Sequence, residues 1–73
     1  MWLERGDVVT FIKSSQLRTG RIIRIPVGIP RAVVRYLSDA TGYISENIHF
    51  DELRHATEEE QIKFLNEARK NNV

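Results

Sequence analysis

The stretch that decides the fold is Gly6-Asp7-Val8-Val9-Thr10-Phe11-Ile12-Lys13, near the start of a 73-residue chain. It is dominated by β-branched and aromatic residues, which fit a pleated strand. Successive side chains of a strand point to opposite faces, so Val9 and Phe11 share one face and the residues between and beside them share the other. Apolar side chains occur on both faces. The stretch therefore predicts a strand that is covered on both sides.

Further strands are predicted on the C-terminal side of this stretch, at residues 21–25, 32–37 and 43–46. The polar segment 14–19 is predicted to be a turn or short loop, and residues 38–42 are a turn-forming run. Strands two and three are joined by Pro26-Val27-Gly28-Ile29-Pro30, which predicts a connecting loop because its two prolines lack amide donors. Residues 48–53 follow neither the two-residue period of a strand nor the 3.6-residue period of a helix, which indicates an irregular or single-turn segment.

A capping box marks the start of a C-terminal helix. Thr57 is followed three residues later by Glu60, the spacing at which each side chain satisfies the backbone amide of the other residue. The helix is predicted over residues 58–70. A helix of this length is marginal in isolation, so it must dock on the sheet through apolar side chains. We expect these to be Ile62, Phe64 and Leu65, with Ala68 on the same stripe.

Four short antiparallel strands followed by one helix predict a mainly β protein. We expect a small antiparallel barrel or bent sheet of four to five strands with a C-terminal α-helix. Residues 1–56 should form the barrel or sheet, and residues 57–73 should form a helix packed on or beside it, within a single domain. A chain of this length buries only about 60% of its unfolded surface, so the core is small.

Three short motifs indicate a family. Gly6-Asp7 opens the first strand, Thr19-Gly20 precedes the second, and Gly42-Tyr43-Ile44 begins the fourth. In these features residues 5–54 resemble Src-homology-3-like small barrels of the KOW and Tudor type. The loop at residues 26–30 and the appended helix depart from that pattern. The resemblance implies a core of Val9, Phe11, Ile22, Val34, Tyr36, Ile44 and Leu53.

A second resemblance concerns the end of the chain. The stretch Leu53-Arg54-His55-Ala56-Thr57-Glu58-Glu59-Glu60 is similar to the end of small phage-encoded proteins, in which a barrel closes with Leu-Arg-x-Ala-Thr and passes into an acidic helix. This resemblance implies an accessory protein of a phage or mobile element. Some small phage proteins bind bacterial RNA polymerase and alter transcription. RNA polymerase, within the transcription apparatus, is therefore the expected protein partner.

The net charge of +1 conceals an asymmetry along the chain. Residues 1–37 carry seven basic and two acidic side chains, a charge of +5, whereas residues 38–73 carry four basic and eight acidic ones, a charge of −4. Such asymmetry favours an electrostatically steered macromolecular contact. Trp2 either packs under the barrel or anchors an interface. The candidate partner-binding residues are Lys13, Arg21, Arg24, Arg31, Arg35, Tyr43 and Trp2.

The arginines are the most informative cluster. If strands two and three are neighbours, Arg21 or Arg24 lies close to Arg31 or Arg35 and produces a positive face. Such a face suits a carboxylate-rich protein surface, and it also suits phosphates, so direct RNA or DNA binding with Tyr43 stacked on a base is the alternative function. The competing interpretation is a set of solvated arginines paired with nearby carboxylates. A surplus of apolar side chains must be covered by the helix or form a partner patch. It comprises Ile23, Val27, Ile29, Val33 and Leu37.

Enzymatic activity is not expected. The chain has no cysteine, and His49 and His55 are six residues apart rather than the three or four that place two ligands on one helix face. No catalytic sequence motif is present. We therefore predict no catalytic residue, metal, cofactor or small-molecule substrate, with a small ribonuclease-type toxin using His49 as the second alternative. No apolar run approaches the roughly 20 residues of a membrane span, so we expect a soluble, cytoplasmic, non-enzymatic binding module.

Overall fold

The computed structural model describes residues 2–38 and 41–70. Its elements are strands β1 (Val8–Lys13), β2 (Gln16–Arg24), β3 (Arg31–Ser38) and β4 (Gly42–His49), a 3-10 turn (Phe50–Glu52), strand β5 (Arg54–His55) and helix α1 (Glu58–Lys70). The strands form one antiparallel sheet in the order β4-β3-β2-β1-β5, which is not closed within the described residues. The expected bent sheet of five strands with a C-terminal helix is confirmed.

One ion pair shows that the sheet is curved. Lys13 Nζ and Glu46 Oε2 are 2.6 Å apart although three strand-to-strand steps separate β1 from β4. Those steps alone span about 14 Å in a flat sheet. The strand register aligns Glu46 with Val34 and Ile22, and this row of residues reaches the sheet near the first residue of β1. Lys13 is the last residue of β1. The two side chains meet because the sheet curls around its inner face.

The inner face, which we define as the face carrying Val9 and Ile22, holds the hydrophobic core. The rings of Phe11 and Tyr36 meet edge to face there, with centroids 5.0 Å apart. Of the seven core residues expected from the sequence, six are buried, and Ile44 is partly buried against them. The buried cluster comprises Val9, Phe11, Ile22, Ala32, Val34, Tyr36, Ile48 and Leu53.

Several predicted boundaries shift in the second half of the sheet. The predicted fourth strand is longer than expected and reaches His49, so the irregular segment is reduced to the 3-10 turn and the short β5. Residues 25–30 form the expected connecting loop. The turn predicted at residues 38–42 includes positions 39 and 40, and the predicted C-terminal unit includes positions 71–73; these five positions lie outside the described residues. No described helix has the length and apolar character needed to cross a membrane.

The turn or short loop predicted at residues 14–19 is present but shorter than predicted. Strand β2 begins at Gln16, and β1 is joined to it by Ser14 and Ser15 alone. Both serines have positive φ, 52° and 64°, as a two-residue type I′ hairpin turn requires. Asn-Gly is the sequence that favours this turn, and two serines give no such signal. The hairpin is therefore set by the pairing of its strands.

Replacing Ser14-Ser15 with Asn-Gly should stabilise the protein by roughly 1 kcal/mol. A left-handed conformation costs an ordinary L-residue about 1–2 kcal/mol, and glycine and asparagine adopt it more readily. The free energy of unfolding from urea titration tests this expectation. The control is replacement of Ser14-Ser15 with Asn-Ala, which should provide little of the increase in the free energy of unfolding. A variant no more stable than the original chain would contradict the positive φ values.

Helix α1 docks on the outer face of the sheet, against β2, with a contact line different from the one predicted. Phe64 and Ala68 are buried, whereas Ile62 and Leu65 are 53% and 41% exposed. The expected docking residue Phe64 is thus confirmed, and the expectation for Ile62 and Leu65 is wrong. The reason lies at the N-terminus of the helix, where contacts with the strands hold Glu60 in place. Residues 60, 64 and 68 share one side of the helix, so that side faces the sheet.

Glu60 joins the helix to two strands. Its Oε1 accepts hydrogen bonds from the Thr57 backbone N–H at 2.8 Å and from the fully buried Thr10 hydroxyl at 3.1 Å. Arg54 donates to both carboxylate oxygens, at 2.8 and 3.0 Å. The Glu60 N–H in turn donates to Thr57 Oγ1 at 3.2 Å, so the predicted capping box is confirmed. The same carboxylate caps the helix and holds it against β1 and β5.

These contacts make stability depend on acidity. The Arg54 guanidinium, followed by the Thr57 backbone hydrogen bond, lowers the pKa of Glu60 from 4.5 to about 2. A carboxyl whose pKa is lowered by folding stabilises the protein above its unfolded pKa, and that contribution is lost as the pH falls through the folded pKa. We expect stability to decline between pH 4.5 and about 2, and Glu60→Gln to flatten this decline. Thermal melts across that range test the expectation, with the exposed neighbour Glu59→Gln as control; an unchanged acid slope in Glu60→Gln would contradict it.

Candidate functional site

Two of the candidate arginines lie directly opposite each other on the outer face of the sheet. The β2–β3 register pairs Arg21 with Arg35. Directly opposed side chains have their Cβ atoms about 5 Å apart, and like charges in such a pair repel. Both side chains are exposed. The expected approach of arginines on neighbouring strands is thus present in the structure.

A β-bulge brings one more arginine to the same face, and alternation along β3 brings another. The register shifts by one residue between Ile22 and Arg24, so Arg24 lies opposite Val33. Strict alternation from the buried Ile22 would have placed Arg24 on the inner face. Arg31 and Arg35 share the face of Val33 because they are alternate residues of β3. Arg21, Arg24, Arg31 and Arg35 therefore all occupy the outer face.

Helix α1 turns part of this face into a groove. One wall is the helix, and the floor and the other wall are strands β2, β3 and β4. Its volume is about 490 Å³, which is in the range of small binding clefts. We call it the arginine groove. It is lined by Arg21, Ile23, Arg35, Tyr43, Phe64, Leu65, Ala68 and Arg69.

The guanidinium groups in the groove lie over aromatic rings. The Cζ atom of Arg21 is 5.9 Å from the ring centroid of Phe64, and that of Arg35 is 5.7 Å from the ring centroid of Tyr43. These are cation–π distances, which orient the side chains without neutralising their charge. Within the residues that the structure describes, neither guanidinium forms an ion pair with a carboxylate. The competing expectation of arginines paired with nearby carboxylates does not hold for Arg21 and Arg35.

The groove also contains a buried polar atom without a partner. The Tyr43 hydroxyl is buried and makes no hydrogen bond with the described residues. Buried polar groups are almost always hydrogen-bonded, because an unmade bond leaves the loss of hydration uncompensated. The Tyr43 hydroxyl and the Arg21 and Arg35 guanidinium groups are thus three hydrogen-bond donors of the groove that have no carboxylate partner among the described residues.

Two of the candidate residues lie away from the groove. Lys13 pairs with Glu46 on the inner side of the curled sheet, and Glu46 also accepts from the Tyr36 hydroxyl at 2.7 Å. The Lys13 ammonium and, secondarily, the Tyr36 hydroxyl lower the pKa of Glu46. Trp2 is 77% exposed, and its indole N–H donates to Glu4 Oε1 at 2.8 Å. It is therefore not packed under the sheet, and the structure does not bring it together with the arginines.

The two histidines have separate local contacts. His49 Nδ1 accepts from the Asp51 backbone N–H at 3.1 Å and caps the 3-10 turn. His55 Nε2 lies 3.3 Å from Asp7 Oδ2 on the β1 side of the sheet. Among the described residues, no three histidine, aspartate or glutamate side chains are grouped closely enough to hold a metal ion. Neither histidine lines the arginine groove.

The groove includes residues that were not among the partner-binding candidates of the sequence. Arg69 adds a third guanidinium from the helix, and Leu65 and Phe64 supply its apolar wall. The signal available in the sequence is the spacing of Leu65 and Arg69, four residues apart and hence on one helix face. Ile23 belonged to the surplus of apolar residues and is 39% exposed in the groove. The site is thus a combination of cationic and apolar surface.

Comparison with known proteins leaves the chain without a family assignment. No protein-family model, curated protein or solved structure matches it significantly. The resemblances to Src-homology-3-like barrels and to small phage proteins therefore stay predictions from the sequence, and the functional argument rests on the groove.

Proposed function

We propose that this protein is a non-enzymatic binding module whose arginine groove binds an acidic surface of a partner protein. The observation that carries the proposal is the pair Arg21 and Arg35, which lie opposite each other beside apolar side chains and have no carboxylate partner among the described residues. A partner carboxylate would relieve their repulsion and form charge-assisted, two-pronged hydrogen bonds. The exposed part of the apolar lining would be buried at the same time.

A protein partner fits the groove better than a nucleic acid does. Base stacking needs an open aromatic face. The rings of Phe64 and Tyr43 each have a guanidinium over them, and Phe11 and Tyr36 are in the core. The exposed apolar side chains Ile23 and Leu65 match an apolar anchor of a protein rather than a sugar–phosphate backbone.

The first partner to test is bacterial RNA polymerase. Its choice is supported by the resemblance of residues 53–60 to the ends of small phage proteins, and the proposed role is regulation of transcription. An acidic patch on the polymerase would be the complement of the groove. Electrostatic complementarity of this kind directs encounter and selects partners.

Binding at several salt concentrations tests the proposal. Full-length protein is titrated against immobilised bacterial RNA polymerase and, in parallel, against fluorescent single-stranded and duplex oligonucleotides. We expect polymerase binding that weakens modestly between about 50 and 200 mM salt, because the apolar part of the interface is insensitive to counterions. Tighter binding to oligonucleotides, with log affinity falling linearly by about three per decade of salt, would identify three phosphate contacts and replace the protein partner with a nucleic acid.

A further inference from the structure

The arginine groove carries information about the chemistry of its ligand beyond the sign of its charge. The Tyr43 hydroxyl is buried and unpartnered, and the Arg35 guanidinium lies over the ring of the same tyrosine. The β3–β4 register places Tyr43 opposite Leu37, two residues along β3 from Arg35. Arg21 is directly across from Arg35. Arg21, Arg35 and Tyr43 therefore occupy neighbouring positions on three adjacent strands that line the groove.

Donors in this arrangement match a carboxylate. A carboxylate is planar, accepts a two-pronged pair of hydrogen bonds from one guanidinium, and has lone pairs left for a second guanidinium and a hydroxyl. The Tyr43 hydroxyl donates one hydrogen bond in this role. A neutral amide in the same position would offer only one acceptor oxygen and would place its NH₂ group against other donors.

Apart from Arg69, the rest of the groove lining is apolar. Ile23, Leu65 and Ala68 line it beside the donors, and Ile23 and Leu65 are 39% and 41% exposed. Isolated exposed apolar side chains are ordinary on a protein surface, but these lie together in one concave site. A ligand that satisfied only the donors would leave this surface open to water.

We infer that the arginine groove receives a peptide segment in which an aspartate or glutamate side chain is adjacent to a large apolar side chain. The carboxylate accepts hydrogen bonds from Arg21, Arg35 and the Tyr43 hydroxyl, and the apolar side chain packs on Ile23, Leu65 and Ala68. This inference rests on the proposed function and specifies the partner's contact segment. The groove has room for a few side chains rather than a whole domain face, since its volume is about 490 Å³.

Selection from a display library of short random peptides tests the inference. The full-length protein is the bait, and the double variant Arg21→Glu/Arg35→Glu is the counter-bait. Selected peptides should be enriched in Asp or Glu next to Leu, Ile, Phe or Met. A synthetic copy of the strongest peptide is then titrated against isotope-labelled full-length protein, where its contacts should perturb the amide resonances of Arg21, Arg35, Tyr43 and Leu65.

Two matched substitutions assign the carboxylate to its site. Replacing the peptide's acidic residue with its amide should weaken binding at least about tenfold, and Tyr43→Phe in the protein should weaken binding of the acidic peptide by about tenfold. Tyr43→Phe should have much less effect on the amide peptide, because the hydrogen bond it removes is made to the carboxylate. Tyr43→Phe keeps the ring under Arg35, so a loss of binding reports the hydroxyl.

The outcomes separate this inference from the proposed function. Selected peptides without acidic residues, no enrichment over the double variant, or equal affinity for the acidic and amide peptides would each overturn the inference. If polymerase binding still depends on Arg21 and Arg35 in that case, the proposed function stands and only the peptide assignment fails. If the wild-type protein binds neither peptides nor the polymerase, both fail.

Discussion

Substitution of Gly20 by alanine is expected to lower the free energy of unfolding by at least about 3 kcal/mol, the upper range for overpacking a core. Gly20 is buried between Val9 and Tyr36 in the sheet. A Cβ atom there would lie 2.6 Å from the Arg35 carbonyl oxygen and 2.9 Å from the Tyr36 Cβ. Side chains cannot rotate to relieve a clash with backbone, so β2 and β3 would have to separate.

The loss expected for Gly20→Ala is a large part of the total free energy of unfolding. A domain of this size has a stability of roughly 4–11 kcal/mol, and 3 kcal/mol corresponds to a fall in Tm of about 12–24 °C. Thermal unfolding followed by circular dichroism measures it.

Gly28→Ala is the matched control. It adds the same methyl group at a position where a Cβ meets nothing within 4 Å, although Gly28 has a positive φ of 87°. Backbone strain alone should cost it about 1–2 kcal/mol. A Gly20→Ala variant no less stable than Gly28→Ala would mean that β2 and β3 do not approach as closely as the structure shows.

The double substitution Arg21→Glu/Arg35→Glu is expected to weaken binding of the acidic partner at least about 100-fold, which corresponds to roughly 3 kcal/mol. The change replaces two unneutralised guanidinium groups with two carboxylates in the same groove, so attraction becomes repulsion. Both positions are exposed, and substitutions at such sites usually change stability by less than about 0.5 kcal/mol each. Equilibrium binding to RNA polymerase, or to any acidic protein found to bind, measures the loss.

Arg5→Glu/Lys63→Glu is the control for net charge. It makes the same four-unit change at two exposed positions that do not line the groove. It should slow association slightly and leave most of the affinity, since distant charges are screened at physiological salt. If both double variants lose affinity equally, binding depends on overall charge and the groove has no special role. A melting curve of each variant confirms that the fold persists.

The elements that local chemistry specifies could be predicted from the sequence. The strand at residues 8–13 follows from its β-branched and aromatic residues, and the start of the helix follows from Thr57 and Glu60. Both depend on residues within a few positions of each other. The alternation of apolar residues also placed Val9 and Phe11 on one face, because strand geometry fixes which side chains share a face, and the family resemblance implied the rest of the inner core.

Gly20 shows why the boundary of β2 was missed. Thr-Gly after a polar segment is a turn signal when read locally. In the folded protein Gly20 lies inside a nine-residue strand, where its missing side chain makes room for the backbone of β3. Local sequence signals assign Gly20 to a turn, but a glycine is required there because β3, about 15 positions away in the chain, lies close to it.

The helix shows the same limit at its docking face. Its apolar stripe gave Ile62 and Leu65, but those side chains are largely exposed. The face that docks is chosen by Glu60, which Arg54 and Thr10 hold from β5 and β1. Helical periodicity defines which residues share a face. It does not predict which of two partly apolar faces contacts the sheet when polar contacts orient the helix.

The sequence by itself determined the mainly β class, the helix start, the shared face of Val9 and Phe11 and the excess of arginine in the first half of the chain. Only the tertiary structure decided that Arg21 lies opposite Arg35, and that the helix contributes Arg69 and Leu65 to the same groove. The physical reason is that strand register is a non-local property. The one-residue register shift between Ile22 and Arg24 brings Arg24 to the outer face, and no short-range preference of the chain encodes that bulge.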